Sequence, residues 1–188
     1  MRMKNTLTGA ALVACMLAAA APSAAAGISL SSRNITPGQP MAIEQVYNSF
    51  GCNGKNLSPQ LAWSNLPPGT RSLAITMFDP DAPTGSGWWH WVAFNIPVRT
   101  MTLQEGASGK IGPENRPQGT IESLTDFGTT GYGGPCPPPG RTHRYVTTLW
   151  ALNVDSLPLD ARASGAMVGF YLNQHRIASA SLTASFGR

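Results

Sequence analysis

Short runs of alternating apolar and polar residues, separated by turn residues, make up most of the chain. Residues 72–78 alternate strictly, with Leu73, Ile75 and Met77 on one side and the intervening residues on the other. A period of two is typical of a β-strand. Similar apolar runs predict further strands at residues 89–96, 144–152 and 180–186.

One segment has the spacing of a helix. Ser164 is a good N-cap residue, and residues 165–178 after it favour a helix. The stripe expected to pack on the sheet consists of Met167, Phe170, Tyr171 and Ile177. Many short strands and one helix, without an internal repeat, predict a mainly β protein. We expect a single domain at residues 27–188, a β-sandwich of two sheets with a few peripheral helices.

The N-terminal residues 1–26 have the outline of a secretory signal peptide. Two cationic residues precede an uncharged Leu/Ala-rich stretch, and Ala24-x-Ala26 supplies a small-residue cleavage pattern. A lipoprotein box ending at Cys15 and a buried N-terminal helix remain alternatives. The apolar stretch is too short to predict an integral membrane span. We therefore expect a periplasmic or secreted protein.

Composition and charge exclude some classes of function. Charged residues make up 12% of the chain and hydrophobic residues 42%, with 20 Gly and 16 Pro, which favours a folded, turn-rich domain over a disordered one. The formal net charge is +4. It falls to about 4 − 2 = +2 if Arg2 and Lys4 are removed with the signal peptide. No run of Lys or Arg occurs, so charge does not predict nucleic-acid binding.

Two cysteines, Cys52 and Cys136, remain in the predicted mature chain. An exported protein meets oxidising conditions, so an even pair predicts a disulfide bond. Two buried free thiols are the alternative. Each cysteine stands without a CxxC partner, so we expect no zinc site.

Carboxylates and imidazoles lie at the ends of the predicted strands. Asp79 and Asp81 continue the Leu73, Ile75 and Met77 row. By alternation, His90 shares a face with Val92, Phe94 and Ile96. We expect the carboxylates to orient the imidazoles and to raise the pKa of His90 or His143. A surface turn and a core histidine are the simpler interpretations of these two clusters.

A third cluster lies at the start of another strand, where His143 and Tyr145 are two residues apart and point the same way. Before them, Gly134 and Pro135 belong to a Gly/Pro-rich stretch that can bring free backbone N–H groups close to a ligand. Imidazoles, a phenol and amides suit a phosphate-type anion. The expected aromatic rim, able to hold an amine, consists of Trp88, Trp89, Trp91 and Tyr132. A rigid connecting loop is the simpler interpretation.

The motifs at residues 79–83, 89–91 and 134–145, in this order and spacing, resemble the phosphatidylethanolamine-binding protein family. The bacterial, Raf-kinase-inhibitor-like branch fits best, through Asn56-Leu57-Ser58-Pro59 and Thr125-Asp126-Phe127-Gly128 among others. The resemblance implies a Greek-key sandwich of two antiparallel sheets with a small pocket at one end. The residues it places in the pocket are Asp79, Asp81, His90, Gly134, Pro135, His143 and Tyr145.

The chain departs from the eukaryotic members of that family. It carries the predicted signal peptide, and Trp89 stands where eukaryotic members usually have a second His. It also lacks their longer C-terminal helical extension. Inhibition of a cytosolic kinase is therefore not the expected role.

The expected function is binding of a phosphate-type anion or a phospholipid head group, without cofactor, metal or catalysis. No Ser lies in a Gly-x-Ser-x-Gly context, and neither mature cysteine looks free. Two alternatives remain open. The first is an interaction module that inhibits a protease, kinase or host signalling partner through the pocket or the irregular segment 106–139. The second is a weak hydrolase that pairs Asp79 or Asp81 with a His.

Overall fold

The computed structural model describes residues 27–108 and 115–188, and the predicted signal peptide and Cys15 lie outside these ranges. Within them, the chain forms eight β-strands and one α-helix. The strands are β1 Ser29–Ser31, β2 Leu61–Ser64, β3 Ser72–Asp79, β4 Trp88–Pro97, β5 Thr102–Leu103, β6 Ile121–Glu122, β7 Thr142–Leu152 and β8 Arg176–Gly187. The helix, α1, spans Gly165–His175.

The strands form two antiparallel sheets, which confirms the predicted mainly β architecture. One sheet has three strands in the order β1-β2-β5, and the other has five in the order β6-β4-β3-β7-β8. The long strands β3, β4, β7 and β8 are neighbours in the larger sheet. Because β3 runs antiparallel to β4 and β7, its end lies beside the beginnings of both.

The main hydrophobic core lies between the two sheets. The predicted alternation in β3 is confirmed, because Leu73, Ile75 and Met77 are fully buried there against Leu61 and Trp63 of β2. Burying such side chains stabilises by about 1.5–3 kcal/mol each. The row therefore anchors the strand that ends in Asp79.

A second core lies on the outer face of the larger sheet, under α1. Val168 and Leu172 of the helix are fully buried there with Ala74 of β3. The predicted N-cap is confirmed, since Ser164 Oγ accepts a hydrogen bond from the Met167 N–H at 3.2 Å.

The predicted apolar stripe of α1 was wrong for three of its four members, since only Tyr171 packs against the outer core. The predicted end of the helix was also wrong. Met167 and Phe170 are 50% and 65% exposed, and Ile177 belongs to β8. The helix ends at His175 because the next residues pair with β7. Gly165 determines which face of α1 packs on the larger sheet. A Cβ at this position would lie 2.4 Å from the Trp89 ring, so only glycine allows this close approach.

A disulfide bond joins Cys52 and Cys136, with Cα atoms 6.0 Å apart. The predicted pairing is confirmed, and the alternative of two free thiols is excluded. The bond connects positions separated by 84 residues. It ties the loop around Phe50 to the Gly/Pro-rich segment before β7. Across residues 27–108 and 115–188, the structure contains no helix long and apolar enough to cross a membrane.

Candidate binding pocket

A cavity of about 170 Å³ opens where β3 ends and β4 and β7 begin. Since one liquid water occupies about 30 Å³, this volume holds a small group such as an oxyanion with a short substituent. One side of the cavity, the strand wall, is formed by Asp79, Trp88, His90, His143 and Tyr145. Four of the predicted site residues therefore lie together.

The rest of the cavity lining, called the loop wall, was predicted only in part, through the Gly/Pro-rich stretch before β7. It consists of Phe50, Phe127, Cys136, Pro137 and Pro138, and residues 82–84 complete the lining. Two sequence signals pointed towards it. Phe50 lies two residues before a disulfide cysteine, and Phe127 belongs to the Thr125-Asp126-Phe127-Gly128 motif.

His90 reaches the cavity because β4 contains a β-bulge. Trp89 and Trp91 pair with consecutive residues of β3, so His90 has no partner opposite it. An extra residue of this kind shifts the alternation of a strand by one position. His90 therefore faces the sandwich interior, with its ring centroid 5.1 Å from that of Tyr145.

The predicted alignment of His90 with Val92, Phe94 and Ile96 is consequently wrong. Val92 and Phe94 lie in the outer core under α1. A second irregularity in β4, near Asn95 with a φ of 58°, returns Ile96 to the inner core.

Asp79 and His143 form a buried pair at the base of the strand wall. Their side chains are only 4% and 6% exposed, and His143 Nδ1 lies 2.8 Å from Asp79 Oδ2. Because a carboxylate only accepts, Nδ1 carries the proton, which leaves Nε2 for other partners. The second oxygen of Asp79 accepts the Asp81 N–H at 2.8 Å. Both carboxylate oxygens are therefore already engaged.

Asp81 does not line the cavity but pairs with Arg144 at its outer edge. Its Oδ2 accepts from Arg144 Nε at 2.9 Å and from the Arg144 backbone N–H at 2.9 Å, and Oδ1 accepts from Nη2 at 2.7 Å. These hydrogen bonds to Arg144 lower the pKa of Asp81 to about 2. The two carboxylates thus have separate partners.

His90 is buried and uncharged at neutral pH. Burial lowers the pKa of His90 to about 4, an effect that outweighs the Gly133 carbonyl and the Asp79 carboxylate nearby. We expected a raised pKa at His90 or His143, and at His90 the shift has the opposite direction, because loss of solvation dominates at this depth. Its Nδ1 lies 2.7 Å from the Gly133 carbonyl oxygen. That contact assigns the proton to Nδ1 and leaves a lone pair on Nε2.

Two donors of the strand wall lack a partner within the described part of the chain. The hydroxyl of Tyr145 and the indole Nε1 of Trp88 are buried, and neither has a hydrogen-bond partner there. Burial also raises the pKa of the Tyr145 phenol, so it stays protonated. An unpartnered buried polar group costs about 1–3 kcal/mol. A ligand that accepts a hydrogen bond from Tyr145 would remove this cost.

Gly134 and Pro135 lie outside the cavity lining. The Gly134 N–H donates to Asn56 Oδ1 at 2.7 Å, so it is not the free amide that we expected. The Pro135 carbonyl accepts from the Tyr47 N–H at 3.1 Å. A Cβ on Gly134 would lie 1.9 Å from the Gln45 carbonyl oxygen. A glycine is therefore needed at this position because two backbone segments pack closely there.

The predicted aromatic rim is only partly present, since Trp88 alone of its four members lines the cavity. Trp89 packs on the outer face against Phe78, at 4.7 Å between ring centroids. Trp91 Nε1 donates to Glu122 Oε1 at 2.8 Å inside the core. The Tyr132 hydroxyl donates to the Gln45 carbonyl at 2.9 Å.

The mouth of the cavity is instead aromatic through the loop wall. Tyr47 packs against Phe127 and Phe50, with ring centroids 4.4 Å and 5.5 Å apart. Phe50 has a φ of 55°, which is costly for a residue with a side chain. Arg188 holds this loop in place through hydrogen bonds to the carbonyls of Phe50, Gly51 and Pro137, at 3.1, 3.0 and 2.7 Å.

Metal binding receives no support from side-chain clusters. In the two described ranges, no group of three or more His, Cys, Asp or Glu residues could hold a metal ion. The cavity lining there includes no lysine or arginine. Hydrogen bonding, rather than strong positive charge, is therefore what the cavity offers to a ligand.

Comparison with known proteins places this architecture among characterised folds. The family model described as phosphatidylethanolamine-binding protein matches residues 31–187. The UPF0098 protein YbhB of Escherichia coli is 48% identical over 158 residues, which cover 84% of this chain and 98% of that protein. YbcL of the same organism is 44% identical over 160 residues, or 85% of this chain and 87% of YbcL.

Solved structures agree with the sequence relatives. The crystal structure of E. coli YbcL, described as a new member of the mammalian PEBP family, superposes with a TM-score of 0.84 at 43% identity. The alignment covers 87% of this chain and 99% of that one. A PEBP homologue from Chlamydia trachomatis, CT736, gives a TM-score of 0.71 at 27% identity and covers 86% and 98% of the two chains.

Proposed function

Since the chain belongs to the phosphatidylethanolamine-binding protein family, we propose that it is a non-enzymatic binding protein for phosphate-type anions. The anion is either free or part of a phospholipid head group. Its site is the cavity between the strand wall and the loop wall. The recognition groups are the Tyr145 hydroxyl, the Trp88 indole N–H and the imidazoles of His90 and His143.

The observation that carries this proposal is the buried, unpartnered hydroxyl of Tyr145. Tyr145 is only 1% exposed, so its hydroxyl cannot recover the lost hydrogen bond from bulk solvent. A hydrogen bond to a charged partner contributes about 1.5–3 kcal/mol. An oxyanion next to Tyr145 therefore gains affinity, because it accepts the hydrogen bond that the buried hydroxyl otherwise lacks.

Binding rather than hydrolysis is proposed because the carboxylates are occupied. Asp79 already accepts from His143 and from the Asp81 backbone, and Asp81 is held by Arg144. A general base must lie within hydrogen-bond reach of the proton that it removes. Asp79 is directed towards His143 and the Asp81 backbone, and Asp81 lies outside the cavity lining, so neither carboxylate is placed as that base.

The test is a titration of the protein with inorganic phosphate, phosphorylethanolamine and acetate, followed by NMR of the histidine side chains. We expect chemical-shift changes at His90 and His143. Tyr145→Phe should weaken binding by roughly tenfold or more, because a hydrogen bond to a charged group is lost. Tyr171→Phe, on α1 and outside the cavity lining, is the control and should bind normally. Absence of shifts with all three anions contradicts the proposal.

Export to the periplasm or the cell exterior is part of the same proposal. The sequence pattern of residues 1–26 supports it, and so does the Cys52–Cys136 disulfide, which is typical of oxidising compartments. Mass spectrometry of the mature N-terminus from the producing cells tests this. A chain that starts at Gly27 supports cleavage, a lipidated Cys15 identifies a lipoprotein, and an intact Met1 in the cytosolic fraction contradicts export.

A protein-interaction role is the second candidate, and the mouth of the cavity is the observation that favours it. Phe50 is 62% exposed beside Phe127 and Tyr47. Exposed aromatic side chains are enriched in protein interfaces. Inhibition of a partner enzyme that survives His143→Ala but is lost in Phe50→Ser would support this role over anion binding.

A further inference from the structure

The charges around the cavity restrict which anion it accepts, an inference that rests on the proposed function. Asp79 brings a buried carboxylate to the cavity, and His143 is its hydrogen-bonded partner. The lining described above has no lysine or arginine to balance a second negative charge. Desolvating an anion without such balance is expensive. A proton that enters together with the anion would reduce this cost.

His90 is placed to accept that proton in a hydrogen bond. Its Nδ1–H donates to the Gly133 carbonyl at 2.7 Å, so the neutral ring presents a lone pair on Nε2. Four ionisable groups surround it. They are Asp79 from β3, His143 and Tyr145 from β7, and Asp126 from the loop before Phe127. Burial outweighs the two carboxylates, and the pKa of His90 falls to about 4.

Tyr145 supplies the complementary donor beside this acceptor. The His90 and Tyr145 ring centroids are 5.1 Å apart, and the Tyr145 hydroxyl has no partner within the described chain. A ligand that both donates and accepts suits such a pair. We propose that the pocket selects a singly protonated oxyanion, namely a phosphomonoester monoanion whose P–OH donates to His90 Nε2 while a P–O⁻ oxygen accepts from Tyr145.

The required proton distinguishes ligands of equal charge, two of which, methyl phosphate and methyl sulfate, also have nearly the same shape. Methyl phosphate as its monoanion carries the required proton, whereas methyl sulfate and dimethyl phosphate do not. The phosphodiester of a phospholipid head group has no such proton either, so this inference narrows the proposed ligand to free phosphate and phosphomonoesters. In a complex with methyl sulfate or dimethyl phosphate, a ligand oxygen would face His90 Nε2, and both atoms would be acceptors without a hydrogen between them. An unsatisfied buried acceptor of this kind is expected to weaken binding by about tenfold or more.

The same assignment predicts a pH dependence of affinity for the monoester. A phosphomonoester loses its second proton near pH 6. Above that value, the free ligand must regain a proton to bind, so the dissociation constant rises by about tenfold per pH unit. Below it, the monoanion dominates and affinity levels off.

Isothermal titration calorimetry with methyl phosphate, methyl sulfate and dimethyl phosphate at pH 5.5 and 7.5 tests the inference on the unmodified protein. We expect methyl phosphate to bind best at pH 5.5 and about twentyfold more weakly at pH 7.5. The two ligands without a proton should be at least tenfold weaker at pH 5.5. His90→Gln can turn an amide N–H to the ligand, so it should narrow the gap between phosphate and sulfate. Tyr145→Phe should weaken both ligands alike.

The outcomes separate this inference from the proposed function. No binding of methyl phosphate or inorganic phosphate at either pH overturns the proposed function itself. Binding of methyl sulfate or dimethyl phosphate within threefold of methyl phosphate leaves that function standing and overturns the selection for a protonated oxyanion. Equal pH dependence for sulfate and phosphate also overturns it, because the proton then resides on the protein. If His90→Gln does not fold, the comparison of the three ligands on the unmodified protein still tests the selection for a protonated oxyanion.

Discussion

The two walls of the pocket are built by different physical means. The strand wall, with Asp79, His90 and Tyr145, belongs to the β-sheet, and ladder hydrogen bonds and core burial hold its backbone. The loop wall, with Phe50 and Cys136, contains almost no regular structure. It is held by a disulfide bond and by side chains that bind backbone carbonyls. The proposed recognition groups therefore lie on the rigid wall, and the loop wall depends on the disulfide and on a few hydrogen bonds.

Removal of the disulfide that holds the loop wall should have the largest effect on stability. Cys52→Ser/Cys136→Ser is expected to lower the free energy of unfolding by about 4–5 kcal/mol, because the unfolded chain regains the freedom of a loop of 84 residues. Urea unfolding of the oxidised and reduced protein measures this. Reductant should shift the wild-type midpoint and leave the double variant unchanged. An unshifted wild type contradicts the prediction.

Asp79→Ala should damage the strand wall next most severely, by about 3 kcal/mol. It leaves the buried His143 N–H and the Asp81 N–H without their carboxylate acceptor, and a hydrogen bond to a charged group contributes about 1.5–3 kcal/mol. Asp81→Ala is the matched control, since its bridge to Arg144 is largely exposed and contributes little. Denaturant unfolding of both variants measures the difference. Equal losses would show that Asp79 and His143 are not the buried pair described here.

Acid should destabilise the protein through His90 of the strand wall. The folded-state pKa of His90 lies near 4, below its ordinary value of 6.5. The unfolded state therefore binds the proton first. Stability is complete above about pH 6.5 and is lost as the pH falls to about 4, by about 3 kcal/mol.

Unfolding free energies measured between pH 7 and pH 4 test this expectation. The loss should persist in His175→Gln, where the substituted histidine lies at the end of α1. It should largely disappear in His90→Gln. A wild-type protein as stable at pH 4.5 as at pH 7 would contradict a buried, neutral His90.

The smallest expected effect on stability distinguishes the hydroxyl of Tyr145, which is proposed to bind the ligand, from the hydroxyl of Tyr132, which supports the structure. Tyr132→Phe removes a buried hydrogen bond to the Gln45 carbonyl and should cost about 1–2 kcal/mol. Tyr145→Phe removes an unpartnered hydroxyl and should leave stability unchanged or slightly higher in anion-free buffer. Thermal unfolding of both variants measures the contrast. A loss in Tyr145→Phe as large as in Tyr132→Phe would assign its hydroxyl a structural partner.

Alternation along the chain was sufficient to predict much of the strand wall. Asp79 follows the inward row of β3, and His143 and Tyr145 lie two residues apart in β7. Their directions depend only on the period of two of a strand, which is a local property. The disulfide was also predictable, because only two cysteines remain after the predicted signal peptide.

Periodicity failed where the same pattern allowed two packings. The residues of α1 are apolar on several sides, and a close contact between Gly165 and Trp89 selects the face with Val168 and Leu172. Gly134 likewise resembled a ligand-binding glycine. Its contact with the Gln45 carbonyl, and not a ligand, is what excludes a side chain.

The sequence by itself therefore determined the sandwich, the row that ends in Asp79 and the facing of His143 with Tyr145, since these follow from local alternation and from family motifs. The family motifs also placed His90 in the pocket, but only the tertiary structure shows the β-bulge that turns it there, because a bulge exists only relative to the partner strand. It also shows that Phe50 and Phe127 complete the cavity lining. Those residues are distant in the chain, and long-range packing and the disulfide alone bring them together.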